Sequence, residues 1–142
     1  MEVERTLAFP VPPEALWPWL CEPERLARWI RDAERFEARP PGALAAGSRL
    51  VVHVPRGVPI EARVRRLEPA RALVLVASGL PNELEVELSF LLEPQGTGSR
   101  LVVRAQAELS GLMLFAERMI AAKAEAKLAG WTETLRGLVV AV

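Results

Sequence analysis

The stretch that decides the fold runs Glu83-Leu84-Glu85-Val86-Glu87-Leu88-Ser89-Phe90, then Leu91-Leu92-Glu93, then Pro94-Gln95-Gly96-Thr97-Gly98, then Ser99-Arg100-Leu101-Val102-Val103-Arg104-Ala105-Gln106-Ala107. Leu84, Val86, Leu88 and Phe90 alternate with polar neighbours, and so do Leu101, Val103, Ala105 and Ala107. A period of two marks a strand with one buried face. The proline and glycine cluster between the two runs is a turn signal, so the pair reads as a hairpin. Centring it near Gly96 sets Val86 against Ala105, Leu88 against Val103 and Phe90 against Leu101, with Glu87 opposite Arg104 on the other face. One face is then aliphatic and the other charged, and a slip of one residue would exchange them.

The same period continues upstream. Leu50, Val52 and Val54 alternate, then Ile60, Ala62 and Val64, then Leu73, Leu75 and Ala77. Between the runs lie Pro55-Arg56-Gly57, Glu68-Pro69-Ala70-Arg71 and Gly79-Leu80-Pro81-Asn82, each a turn signal. Four consecutive hairpins predict an antiparallel meander in which Val64 meets Leu75 and Leu75 meets Val86. The opposite face carries Glu83, Glu85, Glu87, Arg63, Arg65, Arg100 and Arg104, as expected where a sheet meets water. At the start, Val3, Leu7 and Phe9 alternate in a strand that ends at Pro10. Pro13-Glu14 opens a short helix that Pro18 ends or bends, and Pro23 opens a second one running to Ile30. Pro40-Pro41-Gly42 and Gly47 read as a loop. From Leu112 to Leu138 there is no proline, so a long helix is expected to cover the aliphatic face of the sheet.

Composition narrows the function. With 142 residues, 51% hydrophobic and 25% charged, the chain reads as one domain over residues 1–142. Lys plus Arg and Asp plus Glu both number 18, so no net field favours nucleic acid. One cysteine, Cys21, excludes an internal disulfide, and one histidine, His53, excludes a multi-histidine zinc site. Asp32 is the only aspartate, so no metal and no cofactor is expected. Acidic residues at the start and the lack of a long apolar run predict no signal peptide and no stable membrane insertion, hence a cytoplasmic protein; a monomer or weak dimer is expected.

Several stretches in this order resemble the START/Bet v 1-like (SRPBCC) superfamily, and within it the polyketide cyclase/dehydrase-like branch. They are Val11-Pro12-Pro13-Glu14-Ala15-Leu16-Trp17, Pro23-Glu24-Arg25-Leu26-Ala27-Arg28-Trp29, Gly47-Ser48-Arg49, Val64-Arg65-Arg66-Leu67-Glu68-Pro69 and Gly96-Thr97-Gly98-Ser99-Arg100-Leu101. Cys21-Glu22 depart from the pattern, because relatives usually place an aspartate before that proline. The resemblance implies an α+β helix-grip fold: a curved antiparallel sheet wrapped around the long C-terminal helix, with two short helices after the first strand. It also implies an apolar cavity between sheet and helix that holds a lipid, a polyketide or another hydrophobic small molecule. Fold alone does not settle function.

Candidate ligand-binding residues follow from the inward faces: Val64, Leu75, Val86, Leu88, Phe90, Val103 and Ala105 on strands, and Trp29 on the second short helix. On the terminal helix, Lys123 and Lys127 are the only lysines of the chain, four apart, flanked by Phe115 and Met119. At about 100° per residue they point the same way, toward the expected sheet-facing side. A lysine there meets a ligand carboxylate or phosphate, pairs with an internal glutamate, or snorkels to a rim. Trp17, Trp19, Trp29 and Trp131 read as core or as a gate. His53 has the pKa range of a general base but lacks an orienting carboxylate close in sequence, with Glu61 as the natural neighbour of a solvated ring. No nucleophile, base and stabiliser come together, so no catalytic residue is assigned. The expected function is carriage or sensing of a hydrophobic small molecule. The alternatives are a cyclase or dehydrase using His53, Lys123 or a cavity glutamate, and an interaction module with a collapsed interior.

Overall fold

A computed structural model describes residues 1–140. The strands are β1 (Glu2–Phe9), β2 (Arg35–Arg39), β3 (Arg49–His53), β4 (Ile60–Glu68), β5 (Ala72–Ser78), β6 (Val86–Gln95) and β7 (Gly98–Ala107). They form one antiparallel sheet in the order β1-β7-β6-β5-β4-β3-β2, so the meander is extended at one side by the first strand and at the other by β2. The helices are α1 (Pro13–Leu16), α2 (Pro18–Cys21), α3 (Pro23–Trp29) and α4 (Glu117–Val140), the last preceded by a 3₁₀ segment, Gly111–Ala116. This is the helix-grip arrangement of curved sheet and long terminal helix.

Four details differ from the sequence reading. The β6–β7 hairpin closes at Gln95 and Gly98, so Leu88 faces Ala105, Phe90 faces Val103 and Leu92 faces Leu101. Likewise Leu75 faces Leu88 and Ala77 faces Val86. Both registers are displaced by two residues from expectation, a displacement that leaves every side chain on its expected face. The loop between α3 and β3 contains β2, whose Phe36 and Ala38 pair with Val52 and Leu50. The first short helix ends before Pro18 as expected, but a further turn, α2, follows it, so three short helices rather than two precede β2. The long α-helix starts at Glu117 rather than near Leu112, because the preceding segment winds as the tighter 3₁₀ form.

The core lies between the inner sheet face and the helices. Leu16, Leu20, Leu26 and Trp29 from α1–α3 meet Leu7, Phe9, Leu73, Phe90, Leu101 and Val103 from the sheet. The Trp29 ring stands edge-on to Phe90, with centroids 5.8 Å apart, and its Nε1–H donates to the Trp19 carbonyl at 2.8 Å. The Trp19 ring in turn lies under the guanidinium groups of Arg25 and Arg28, at 5.1 and 4.9 Å. α4 packs against β1 and α3 through Ala121, Ala124, Leu128, Leu135 and Val139, a stripe with helical spacing. Arg5, on the inner face of β1, reaches Glu133 of α4 at 2.6 Å. On the outer face, ion pairs join neighbouring strands, Arg49 with Glu61 and Arg104 with Glu2 and Glu4, and Arg65 of β4 reaches across β5 to Glu87 of β6. Val74 and Val76, which sit beside these rows, are buried under their aliphatic stems.

Candidate functional site

A cavity of about 550 Å³ remains between α4 and the middle strands. Its walls are inward positions of the meander: Leu50, Val52, Ala62, Leu75, Ala77, Val86, Leu88, Phe90, Ala105 and Ala107. Leu26, Ile30 and Phe36 close one side, and Ile120, Ala124, Leu128 and Trp131 of α4 form the roof. The room exists because α4 packs most closely on β1, away from the centre of the sheet.

Two charged side chains line this cavity, Asp32 and Lys127. Asp32 sits in the turn between α3 and β2, and Lys127 and Trp131 lie one turn apart on α4. The Lys127 ammonium hydrogen-bonds and ion-pairs with Asp32 Oδ2, while Trp131 Nε1–H donates to Oδ1 at 3.1 Å. Both charged side chains are about half exposed, at 54% and 46%, so the cluster marks the mouth rather than the interior. The Lys127 ammonium, and then the Trp131 N–H, hold the Asp32 carboxyl below its ordinary range, against a smaller opposing effect of burial. A carboxyl with a depressed folded pKa stabilises the fold at neutral pH, and that contribution is lost as pH falls through the folded value. The difference in unfolding free energy between the wild type and Asp32→Asn is therefore expected to be flat above about pH 5 and to shrink below pH 4. Because the pair is half solvated, its size should stay under about 1 kcal/mol. Urea titrations across that range check this, and a difference that grows with acidity would contradict the pairing.

The residues singled out from the sequence divide as follows. Leu75, Val86, Leu88, Phe90, Ala105 and Lys127 line the cavity. Trp29, Val64 and Val103 are buried in the adjoining core without lining it, so the tryptophan serves packing rather than a gate. Lys123 is exposed, and Phe115 and Met119 stand in solvent at 91% and 63%. The expectation that the lysines mark the sheet-facing side is corrected: Lys123 lies about 90° around the helix from the centre of the roof residues, and Lys127 lies at their edge. Phe115 belongs to the 3₁₀ segment, where helical phase does not carry over. Val58, Leu112 and Leu114 are also exposed, and the β3–β4 loop with Val58 and the 3₁₀ segment with Leu112, Leu114 and Phe115 leave the same end of the sheet.

His53 lies on the outer face, its Nε2 at 3.1 Å from Glu37 Oε1 and 3.2 Å from Arg35, not beside Glu61. His53 and then Arg39 hold the Glu37 carboxyl below its ordinary range. Cys21 is buried, and burial, with the neighbouring Glu22 charge, pushes its thiol up and makes it a poor nucleophile. Among the described residues no three of His, Cys, Asp and Glu converge as metal ligands, and no helix is long and apolar enough to cross a membrane. Asp32 is the charged site residue that the sequence does not mark as one; its only signal is to be the single aspartate of the chain.

Residues 10–142 match the family described as activator of Hsp90 ATPase homolog 1-like protein. The chain belongs to this family. With that, the AHSA1-like chain is a member of the SRPBCC superfamily it resembles in sequence. A search of curated proteins gives no match. Solved structures similar in fold include protein MLL2253 from Mesorhizobium loti, with a TM-score of 0.82 at 20% identity, covering 100% of this chain and 98% of that one. The Aha1 dimer from Colwellia psychrerythraea gives 0.73 at 17%, covering 98% and 96%. Ara h 8.0201 gives 0.72 at 19%, covering 100% and 99%. At these identities the likeness concerns the fold of the AHSA1-like chain alone.

Proposed function

We propose that the chain binds a hydrophobic small molecule in the cavity between the sheet and α4, as a carrier or sensor rather than a catalyst. The observation that carries this reading is a chamber of about 550 Å³ lined almost entirely by apolar side chains, with the Asp32–Lys127 pair at its mouth. Small-molecule sites are mostly apolar clefts of that size with a few polar groups that fix orientation. A ligand burying about 400 Å² of apolar surface gains about 10 kcal/mol at about 25 cal/mol per Å². Against an association cost of about 4 kcal/mol, at the low end, this leaves an affinity in the tens of micromolar. His53 and Cys21 lie off the cavity, which weighs against a cyclase or dehydrase built on either.

The neutral dye 1-aminoanthracene tests this reading. Its fluorescence should rise on binding the wild type, and Ala105→Trp, which projects an indole from β7 into the chamber, should weaken binding at least tenfold while leaving the fold intact by circular dichroism. Equal binding by both proteins would place the dye elsewhere and remove the support. A second reading comes from the family description, which names a chaperone ATPase as the thing activated, and from the exposed Leu112, Leu114, Phe115 and Met119, a surface suited to a protein partner. An Hsp90 ATPase assay with and without the chain separates the two.

A further inference from the structure

We infer that the cavity favours amphiphiles whose polar end is uncharged, such as an alcohol, a ketone or an amide, over carboxylates of the same chain length. This rests on the cavity reading above and adds the class of ligand. A lone lysine at an apolar mouth would favour acids, because an anion would supply the missing partner. Here the partner is already supplied by the protein. Asp32 ion-pairs with Lys127 and takes the Trp131 N–H as well, so the two charged side chains of the lining are opposite in sign and in contact.

The ammonium of Lys127 has three donors, and Asp32 Oδ2 is the acceptor that holds it. The donors left over suit a ligand hydroxyl or carbonyl oxygen, which can be accepted without breaking the pair. A ligand carboxylate on the same donors would lie within a few ångströms of the Asp32 carboxylate. It would also shed part of its hydration against the apolar wall formed by Ile30, Ala124 and Leu128. Repulsion and desolvation both act against the anion, while a neutral oxygen meets only a small desolvation cost. Asp32 is therefore a specificity residue, and Lys127 the group it neutralises.

The test is displacement of 1-aminoanthracene at neutral pH by dodecan-1-ol and by dodecanoate, using the wild type, Asp32→Asn and Lys127→Met. In the wild type the alcohol should displace the dye at about fivefold lower concentration than the acid, the scale of one partly solvated charge interaction. Asp32→Asn leaves the lysine without its counter-charge and should cancel or invert that ratio. Lys127→Met should keep the acid weak, and this arm separates charge selectivity from a change in cavity shape. An acid that matches or beats the alcohol in the wild type, or a ratio unmoved by Asp32→Asn, overturns the inference while leaving the cavity reading in place. Failure of the dye to bind the wild type at all sinks both.

Discussion

Trp29→Ala is expected to lower the free energy of unfolding by about 3–5 kcal/mol, the usual cost of truncating a buried tryptophan. The side chain is 0% exposed and sits where three parts of the chain meet: α3 that carries it, Phe90 of β6 under its edge, and the Trp19 carbonyl that accepts its N–H. Alanine would leave a void against Phe90 and a carbonyl without its donor, and the two losses act on the same small region. Domains of this size are stable by about 5–15 kcal/mol, so about a fifth or more of the total is at stake. Trp29→Phe keeps most of the apolar contact and removes the hydrogen bond, so it should cost about 1–2 kcal/mol. Urea unfolding followed by circular dichroism reads both. A loss below 1.5 kcal/mol for the alanine variant would mean that the corner formed by α1–α3 is held by something other than this side chain.

Gly98→Ala should be nearly as damaging, for a different reason. A Cβ at Gly98 would stand 2.2 Å from the Phe9 carbonyl oxygen and 3.3 Å from its carbon. Both are backbone atoms at the end of β1, so relief requires the strands to part rather than a side chain to turn. The expected cost is about 3 kcal/mol, at the upper end for overpacking. Gly96, two residues earlier, is the control. It has φ of +61° but open space around it, so alanine there meets only the left-handed backbone penalty of about 1 kcal/mol. If thermal unfolding ranks the two variants the other way, close approach of β1 to β7 is not what glycine provides.

These two positions also mark what could be read in advance. The face assignments of β3–β7 were legible because burial on one side repeats every second residue through Leu50, Leu75, Leu88 and Val103. Val64 against Leu75 is the observed pairing, but the registers of β5–β6 and β6–β7 were not legible: Pro94-Gln95-Gly96-Thr97-Gly98 offers more than one centre for a turn, and a displacement of two residues preserves both faces. β2 escaped notice since Phe36 and Ala38 give it only two apolar positions between charges. The phase of α4 was obscured by alanines spread around the helix, which made the lysines look like the marker of a face. The buried stripe is instead Ala121, Ala124, Leu128, Leu135 and Val139. Asp32 and Lys127 are 95 positions apart, so no local pattern connects them, and the mouth of the cavity becomes visible only when the chain is folded.

The border of the sheet at β2 has a further consequence. A strand with an open side offers free amide and carbonyl groups to any extended segment that drifts past, the first step toward ribbon-like fibres. Here that side is five residues long, reads Arg35-Phe36-Glu37-Ala38-Arg39, and runs straight into Pro40-Pro41. An approaching strand meets alternating charge and then a stretch that cannot donate, so growth in that direction is discouraged from the outset. The molecule can thus keep a hollow, greasy interior at high concentration without polymerising along this margin.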